Sequence, residues 1–227
     1  MMTDNSQTHE ARYVLSNPVG DNEWKLQDEC TKEWSENGLH ILGIGQLTLV
    51  AFEVMFPSWR INEKRKPPWT PSIDFLFLNE TNQFVLLEMK YNPSPGKLLK
   101  ALCQVSTMAI QVQNSFTKER LTSAHSACVA KAGNRTFMAA HQEHLIHERI
   151  HGVDLGRVYR IVASVRPEDK CRELLSEFNG LSHAQILQDM LMNRSRRRHF
   201  ELFANLDPQQ YEKLRVAPVR YLTIQGQ

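Results

Sequence analysis

The sequence predicts an α/β (or α+β) fold in which helices are interleaved with the strands of a central sheet. Three observations carry this. Two apolar runs at 74–78 and 84–90 flank the polar stretch NETNQ, a helical pattern follows at 95–113, and a β-branched run, VYRIVASV, marks a strand at 158–165. The hairpin is apolar on both faces, so it belongs in the middle of a sheet that is covered on both sides.

At 227 residues the chain fits one domain, with a core over about 40–170 and a mainly helical extension over about 171–227. Residues 1–22 are polar and read as a loose leader without the basic-then-apolar order of a signal peptide. Leu26, Cys30 and Trp34 recur four apart and predict a helix over 23–38. Residues 46–56 fit a helix by length and a strand by their β-branched and aromatic content. The segment SWRINEKRKPPWTPS is dense in proline and basic charge and reads as a loop or edge segment. Ser94-Pro95 supplies an N-cap and first-turn proline for the helix behind the hairpin. Residues 115–136 carry no clear pattern, and 137–151 read as helical. Asn179-Gly180 stops one helix, Ser182 with Gln185 forms a capping box for the next, and 219–224 read as a last strand.

Hydrophobic (41%) and charged (23%) content are those of a globular protein, which argues against disorder. A net charge of +2 neither demands nor excludes nucleic acid. Cys30, Cys103, Cys128 and Cys171 are far apart with no CxxC pair, and read as reduced thiols of a cytoplasmic protein. No run approaches the roughly 20 apolar residues that span a bilayer.

The hairpin register predicts the chemistry. If Asn79 faces Gln83 across a three-residue loop, Leu78 faces Phe84, Leu76 faces Leu86 and Asp74 faces Glu88. Phe75, Phe77, Val85, Leu87 and Met89 cover the other face. The even face thus turns polar at one end only, where Lys90 joins the two carboxylates. Opposed like charges are destabilising, and burial raises the cost. Two arrangements would compensate: a bound divalent cation such as Mg²⁺, which one or two carboxylates plus phosphate typically hold, or a buried ion network through Lys90.

Asp74, a gap of thirteen residues, and Glu88-Met89-Lys90 resemble the signature of the PD-(D/E)XK nuclease superfamily. The resemblance covers about residues 46–165 and is strongest over 71–112; Ile73 stands where the signature carries proline. It implies a restriction-endonuclease-like α-β-β-β-α-β core and a Mg²⁺- or Mn²⁺-dependent nuclease acting on DNA. Asp74, Glu88 and the Met89 backbone carbonyl would ligate the metal. Lys90 would orient or help deprotonate the attacking water and offset developing charge. Glu53 stands upstream, where many members carry a helical glutamate facing the metals. Gln104 matches the glutamine of a Q-x-x-x-Y pattern, with Met108 in place of the tyrosine. Many relatives dimerise to cut two strands, so a homodimer is an expectation too. A non-catalytic nucleic-acid-binding or assembly module on the same fold is the alternative.

Further residues point to phosphate. On the helix behind the hairpin, Leu98, Ala101, Leu102, Val105, Met108, Ala109 and Val112 form an apolar stripe. Lys97, Lys100, Gln104, Thr107 and Gln111 form a second stripe of ammonium, hydroxyl and amide groups. Arg60, Lys64, Arg65 and Lys66 lie just before the hairpin near Trp59 and Trp69, and Arg194, Arg196, Arg197 and Arg198 precede His199 and Phe200. Two compact basic clusters in a nearly neutral chain suit nucleic-acid binding. A competing motif, His147-Glu148-Arg149-Ile150-His151, spells the H-E-x-x-H of zinc metallopeptidases. Arg149 within it and Gly152 directly after it count against that reading.

Overall fold

A computed structural model of the chain describes residues 10–17, 21–55, 72–115, 117–131, 146, 148–165, 169–192, 203–204 and 206–226. The two basic clusters, His147 and the segment 132–145 lie outside these residues. Seven strands form one mixed sheet: β1 (Glu10–Leu15), β2 (Leu39–Ile41), β3 (Gly45–Met55), β4 (Ser72–Asn79), β5 (Gln83–Lys90), β6 (Asp154–Ser164) and β7 (Arg220–Gly226). Their order across the sheet is β1-β7-β6-β5-β4-β3-β2. The strands from β2 to β5 pair antiparallel, while β5, β6, β7 and β1 run parallel. Helices α1 (Glu23–Asn37), α2 (Pro95–Ser115), α3 (Lys118–Lys131), α4 (Asp169–Gly180), α5 (His183–Met192) and α6 (Pro208–Arg215) flank it. The expected α/β class therefore holds.

The hairpin has the predicted register, with Leu76 opposite Leu86 and Leu78 opposite Phe84. Asn79 makes its turn: the side-chain oxygen accepts from the Thr81 and Gln83 backbone N–H groups at 3.1 and 2.8 Å. Asn82 closes it in the left-handed region at φ 57°, which asparagine tolerates. Both faces of the hairpin are buried, as a central position requires. On one face the α1 residue Trp34 meets Phe75 and Phe77 edge to face, with ring centroids 5.0 and 5.7 Å apart. On the other lies α2, whose Ser106 hydroxyl accepts from the Arg160 guanidinium at 2.7 Å; Arg160 is the cross-strand partner of Leu86. Arg160 also donates to the Leu214 and Ala217 carbonyls, so one buried guanidinium joins the sheet, α2 and the C-terminal segment.

Differences from the sequence reading have local causes. Residues 10–15, inside the expected leader, form β1 on the parallel edge of the sheet, with Leu15 buried and the Tyr13 hydroxyl donating to Glu33 at 2.8 Å. Within the ambiguous stretch 46–56, the residues up to Met55 belong to the strand β3, which pairs with β2 on one side and β4 on the other and buries Leu47, Leu49, Val50, Ala51, Phe52 and Val54. The unpatterned stretch after residue 115 contains α3. Its Cys128 thiol donates to the Phe52 carbonyl and its His125 Nδ1 lies 2.7 Å from the Val50 carbonyl, so β3 anchors it. The last strand is set by Asn179, whose amide both donates to and accepts from the Val219 backbone at 3.0 Å. The capping box forms as expected, with Ser182 N donating to Gln185 and Gln185 N to the Ser182 hydroxyl. Gly38 ends α1 at φ 68°, and a Cβ there would stand 2.6 Å from the Leu47 carbonyl, so the close approach of α1 to β3 needs glycine.

Within the H-E-x-x-H stretch, residues 148–151 are helical and Gly152 N closes the turn on the Arg149 carbonyl at 3.0 Å. Arg149 grips the β4–β5 turn, donating to the Asn82 side chain at 3.0 Å, to the Thr48 hydroxyl and to the Leu78 and Asn79 carbonyls. The charge that breaks the peptidase pattern is thus a clamp on the hairpin. Arg149→Ala should lower stability by about 2 kcal/mol, since it strands several half-buried acceptors at once. An unchanged urea midpoint would show the clamp to be ornamental.

Candidate metal centre

The centre lies at the end of the hairpin away from the turn. The last paired residues are Phe75 and Leu87, and Asp74 and Glu88 are next in the same register. There the Asp74 carboxylate accepts from the Met89 backbone N–H at 2.6 Å. Glu88 is 2% exposed; its Oε1 lies 2.9 Å from the Lys90 ammonium, and its Oε2 has no hydrogen-bond partner among the described residues. Three of the residues expected in the centre, Asp74, Glu88 and Lys90, are therefore brought together.

Burial first, then the Asp74 charge, pushes the Glu88 carboxyl up to about 8. Asp74 is raised to about 6, again mainly by burial, with Lys90 and the Met89 N–H pulling the other way. Burial disfavours the Lys90 ammonium, yet Glu88, Asp74 and Glu23 together hold it above the ordinary lysine range.

The sequence reading missed Glu23. It occupies the first turn of α1, behind the N-cap Asn22, whose side chain accepts from Lys25 N. Its carboxylate lies 3.1 Å from the Lys90 ammonium and accepts from Tyr91 N at 3.4 Å. The N-cap and acidic first turn were legible as a helix start, but nothing local says that this start abuts a strand end 67 residues away. Glu53 stands on a strand and not on a helix, which corrects that expectation. A bulge at Val50 shifts the β3 register by one, so that Glu53 falls between the pairs Phe52–Phe75 and Val54–Ile73, across from Asp74. It is exposed, and its φ of 49° is rare for a residue with a Cβ.

The α2 stripe divides. Lys97 and Lys100 are exposed, whereas Thr107 and Gln111 are buried, with the Thr107 hydroxyl donating to the Cys103 carbonyl at 2.8 Å. The latter two offer nothing to a ligand, because α2 is covered on more than one side. Gln104 donates to the Ser72 carbonyl at 2.7 Å, fastening α2 to the start of β4 two residues before Asp74. It positions the strand that carries the carboxylate. Of the proposed nucleic-acid contacts, Arg60, Lys64, Arg65, Lys66, Arg194, Arg196, Arg197 and Arg198 lie outside the described residues.

A divalent cation fits these groups on one observation above others. A carboxylate oxygen buried without a donor is costly, and a cation beside Glu88 Oε2 would remove that cost. Among the described residues no three His, Cys, Asp or Glu side chains converge to hold an ion by themselves. The protein would contribute two carboxylates and a carbonyl, all hard oxygens, and leave the other positions to water and phosphate, as Mg²⁺ prefers. All four cysteines are buried and unbridged. Among the described residues no helix is long and apolar enough to cross a membrane. No protein-family model matches the chain, and neither does any curated protein or solved structure.

Proposed function

We propose that this protein is a Mg²⁺- or Mn²⁺-dependent nuclease that hydrolyses phosphodiester bonds in DNA, with Asp74, Glu88 and Lys90 at its centre. One observation carries the reading: a buried glutamate with an unpartnered oxygen is set beside a second carboxylate and a lysine at one sheet end. With β2 and α3 as additions, the elements α1, β3, β4, β5, α2 and β6 follow the α-β-β-β-α-β order of a PD-(D/E)XK core, which supports the reading.

The residues divide the work. Asp74 and Glu88, with the Met89 carbonyl, would hold the cation, and Asp74 is itself oriented by the Met89 N–H. The bound ion would lower the pKa of a coordinated water and offset charge on the phosphate. Lys90 sits between Glu88 and Glu23, 16% exposed, so its ammonium is fixed at the mouth of the centre rather than swinging in solvent. From there it orients the attacking water and stabilises the pentavalent phosphate as negative charge accumulates. Gln104 holds β4 in place behind Asp74.

Incubating the protein with plasmid, linear and single-stranded DNA and either Mg²⁺ or Mn²⁺ tests this, beside Asp74→Asn. Metal-dependent strand cleavage that falls about 10²–10³-fold in the variant is expected. Cleavage that survives Asp74→Asn would place the chemistry elsewhere, and no cleavage of any substrate would favour a non-catalytic binding module.

A further inference from the structure

The metal centre lies at one end of β6, where Ser164 pairs with Lys90, and the other end of the strand carries a pair of arginines. Extended chain separates Arg157 from Ser164 by about 20 Å. Ile161 is the cross-strand partner of Arg220 on β7, so Tyr159, on the same face of β6 as Ile161, faces the same side as Arg220. The Arg157 guanidinium lies over the Tyr159 ring, 4.8 Å from its centroid. Arg220 is held from across the sheet, where its guanidinium donates to the Leu42 carbonyl in the β2–β3 turn. That turn needs glycine at position 43: φ is 76°, and a Cβ would stand 3.1 Å from an Arg220 nitrogen. Two guanidiniums are thus gathered about one phenol.

No acid relieves this pair. Neither arginine makes an ion pair with any described residue. Asp154, at the start of β6, accepts instead from Gly156 N at 2.8 Å and from the Gln83 amide at 3.3 Å. Glu80, in the β4–β5 turn, accepts from Gln46 N at 3.4 Å. Burial first, and the Arg157 charge after it, hold the half-buried Arg220 guanidinium below its ordinary value, with the Tyr159 phenol pulling the other way. Two cations kept together without a counter-charge are complementary to an anion. A carboxylate has one pair of oxygens for one guanidinium fork, whereas a tetrahedral phosphate can meet two forks at once. Exposed Arg157 and the Arg220 N–H groups that Leu42 leaves free would supply the donors.

We propose that Arg157 and Arg220 form a phosphate-binding site at the end of β6 opposite the metal centre, which takes a phosphate group either free or within a nucleic-acid strand. The site needs neither a metal nor cleavage, so it stands or falls apart from the nuclease reading.

Isothermal titration calorimetry of the full-length protein in metal-free buffer at fixed ionic strength tests it, with inorganic phosphate and an oligothymidylate lacking terminal phosphates as probes. At least one probe should bind, and Arg157→Gln should weaken that binding about tenfold with an unchanged melting temperature. Arg220→Lys keeps the charge and forfeits the fork, and should weaken the same probe. Loss for inorganic phosphate alone makes a free phosphate the ligand, and loss for the oligonucleotide makes it a strand backbone. If neither probe binds the parent, or if either variant binds both probes as tightly as the parent, the two arginines are solvated surface charges and the assignment is overturned.

Discussion

Glu88→Gln should abolish metal-dependent cleavage and, in metal-free buffer, make the protein more stable. The two effects share a cause. Glu88 is buried beside Asp74 with one oxygen unpartnered, so its charge is a burden on the metal-free fold and, on the proposed reading, a ligand for a cation. A neutral amide of the same shape removes the burden and the ligand together. The stability gain should be on the order of 1–3 kcal/mol at pH 8, because Lys90 still offsets part of the charge in the parent protein. The sign follows from proton binding. The folded state holds the Glu88 proton up to about 8, whereas the unfolded chain releases it near its ordinary value of 4.5. Between those values the folded state binds more protons, so stability falls as pH rises. Asp74, raised to about 6, adds to the same slope at its lower end. Thermal melts of metal-free protein from pH 5 to 8 should therefore decline for the parent and run flatter for Glu88→Gln. A variant that melts lower than the parent across that range would show that the carboxylate stabilises the fold and is no latent ligand.

Lys90→Ala should do the opposite to stability and the same to activity. Removing the ammonium leaves the Glu88 charge buried without its one ion-pair partner, a change of the kind that costs about 3–5 kcal/mol. The loss should be largest at pH 8 and shrink toward pH 5, where Glu88 and Asp74 take up protons and need no counter-charge. Cleavage should fall about 10²–10³-fold, since the fixed charge facing the phosphate is gone. The double variant Lys90→Ala/Glu88→Gln should recover most of the lost stability and none of the activity. If its melting temperature stays as low as that of Lys90→Ala, the two side chains are not energetically coupled and the ion pair at 2.9 Å is incidental.

Much of the site was legible because the turn is short. Pairing Asn79 with Gln83 across a three-residue loop sets the register, and that register carries Asp74 and Glu88 to the same end. Helix α2 was equally readable, since its apolar spacing, N-cap and first-turn proline agree. What stayed hidden depended on contacts distant in sequence. Glu23 reaches Lys90 only because α1 lies across the sheet face of Phe75 and Phe77, fixed by Trp34. Glu53 owes its place opposite Asp74 to a single extra residue at Val50, and no pattern in 45–55 announces a bulge. β1 hid in a polar stretch, because an edge strand buries half of one face and needs few apolar residues to do so.

A Mn²⁺ titration of the metal-free protein, followed by electron paramagnetic resonance, tests the central claim most directly. One bound ion per chain is expected. Its affinity should rise with pH as the carboxyls give up their protons, and binding should be lost in both Asp74→Asn and Glu88→Gln. Mn²⁺ that fails to bind, or that binds the two variants as tightly as the parent, would contradict a metal centre at the open end of the hairpin.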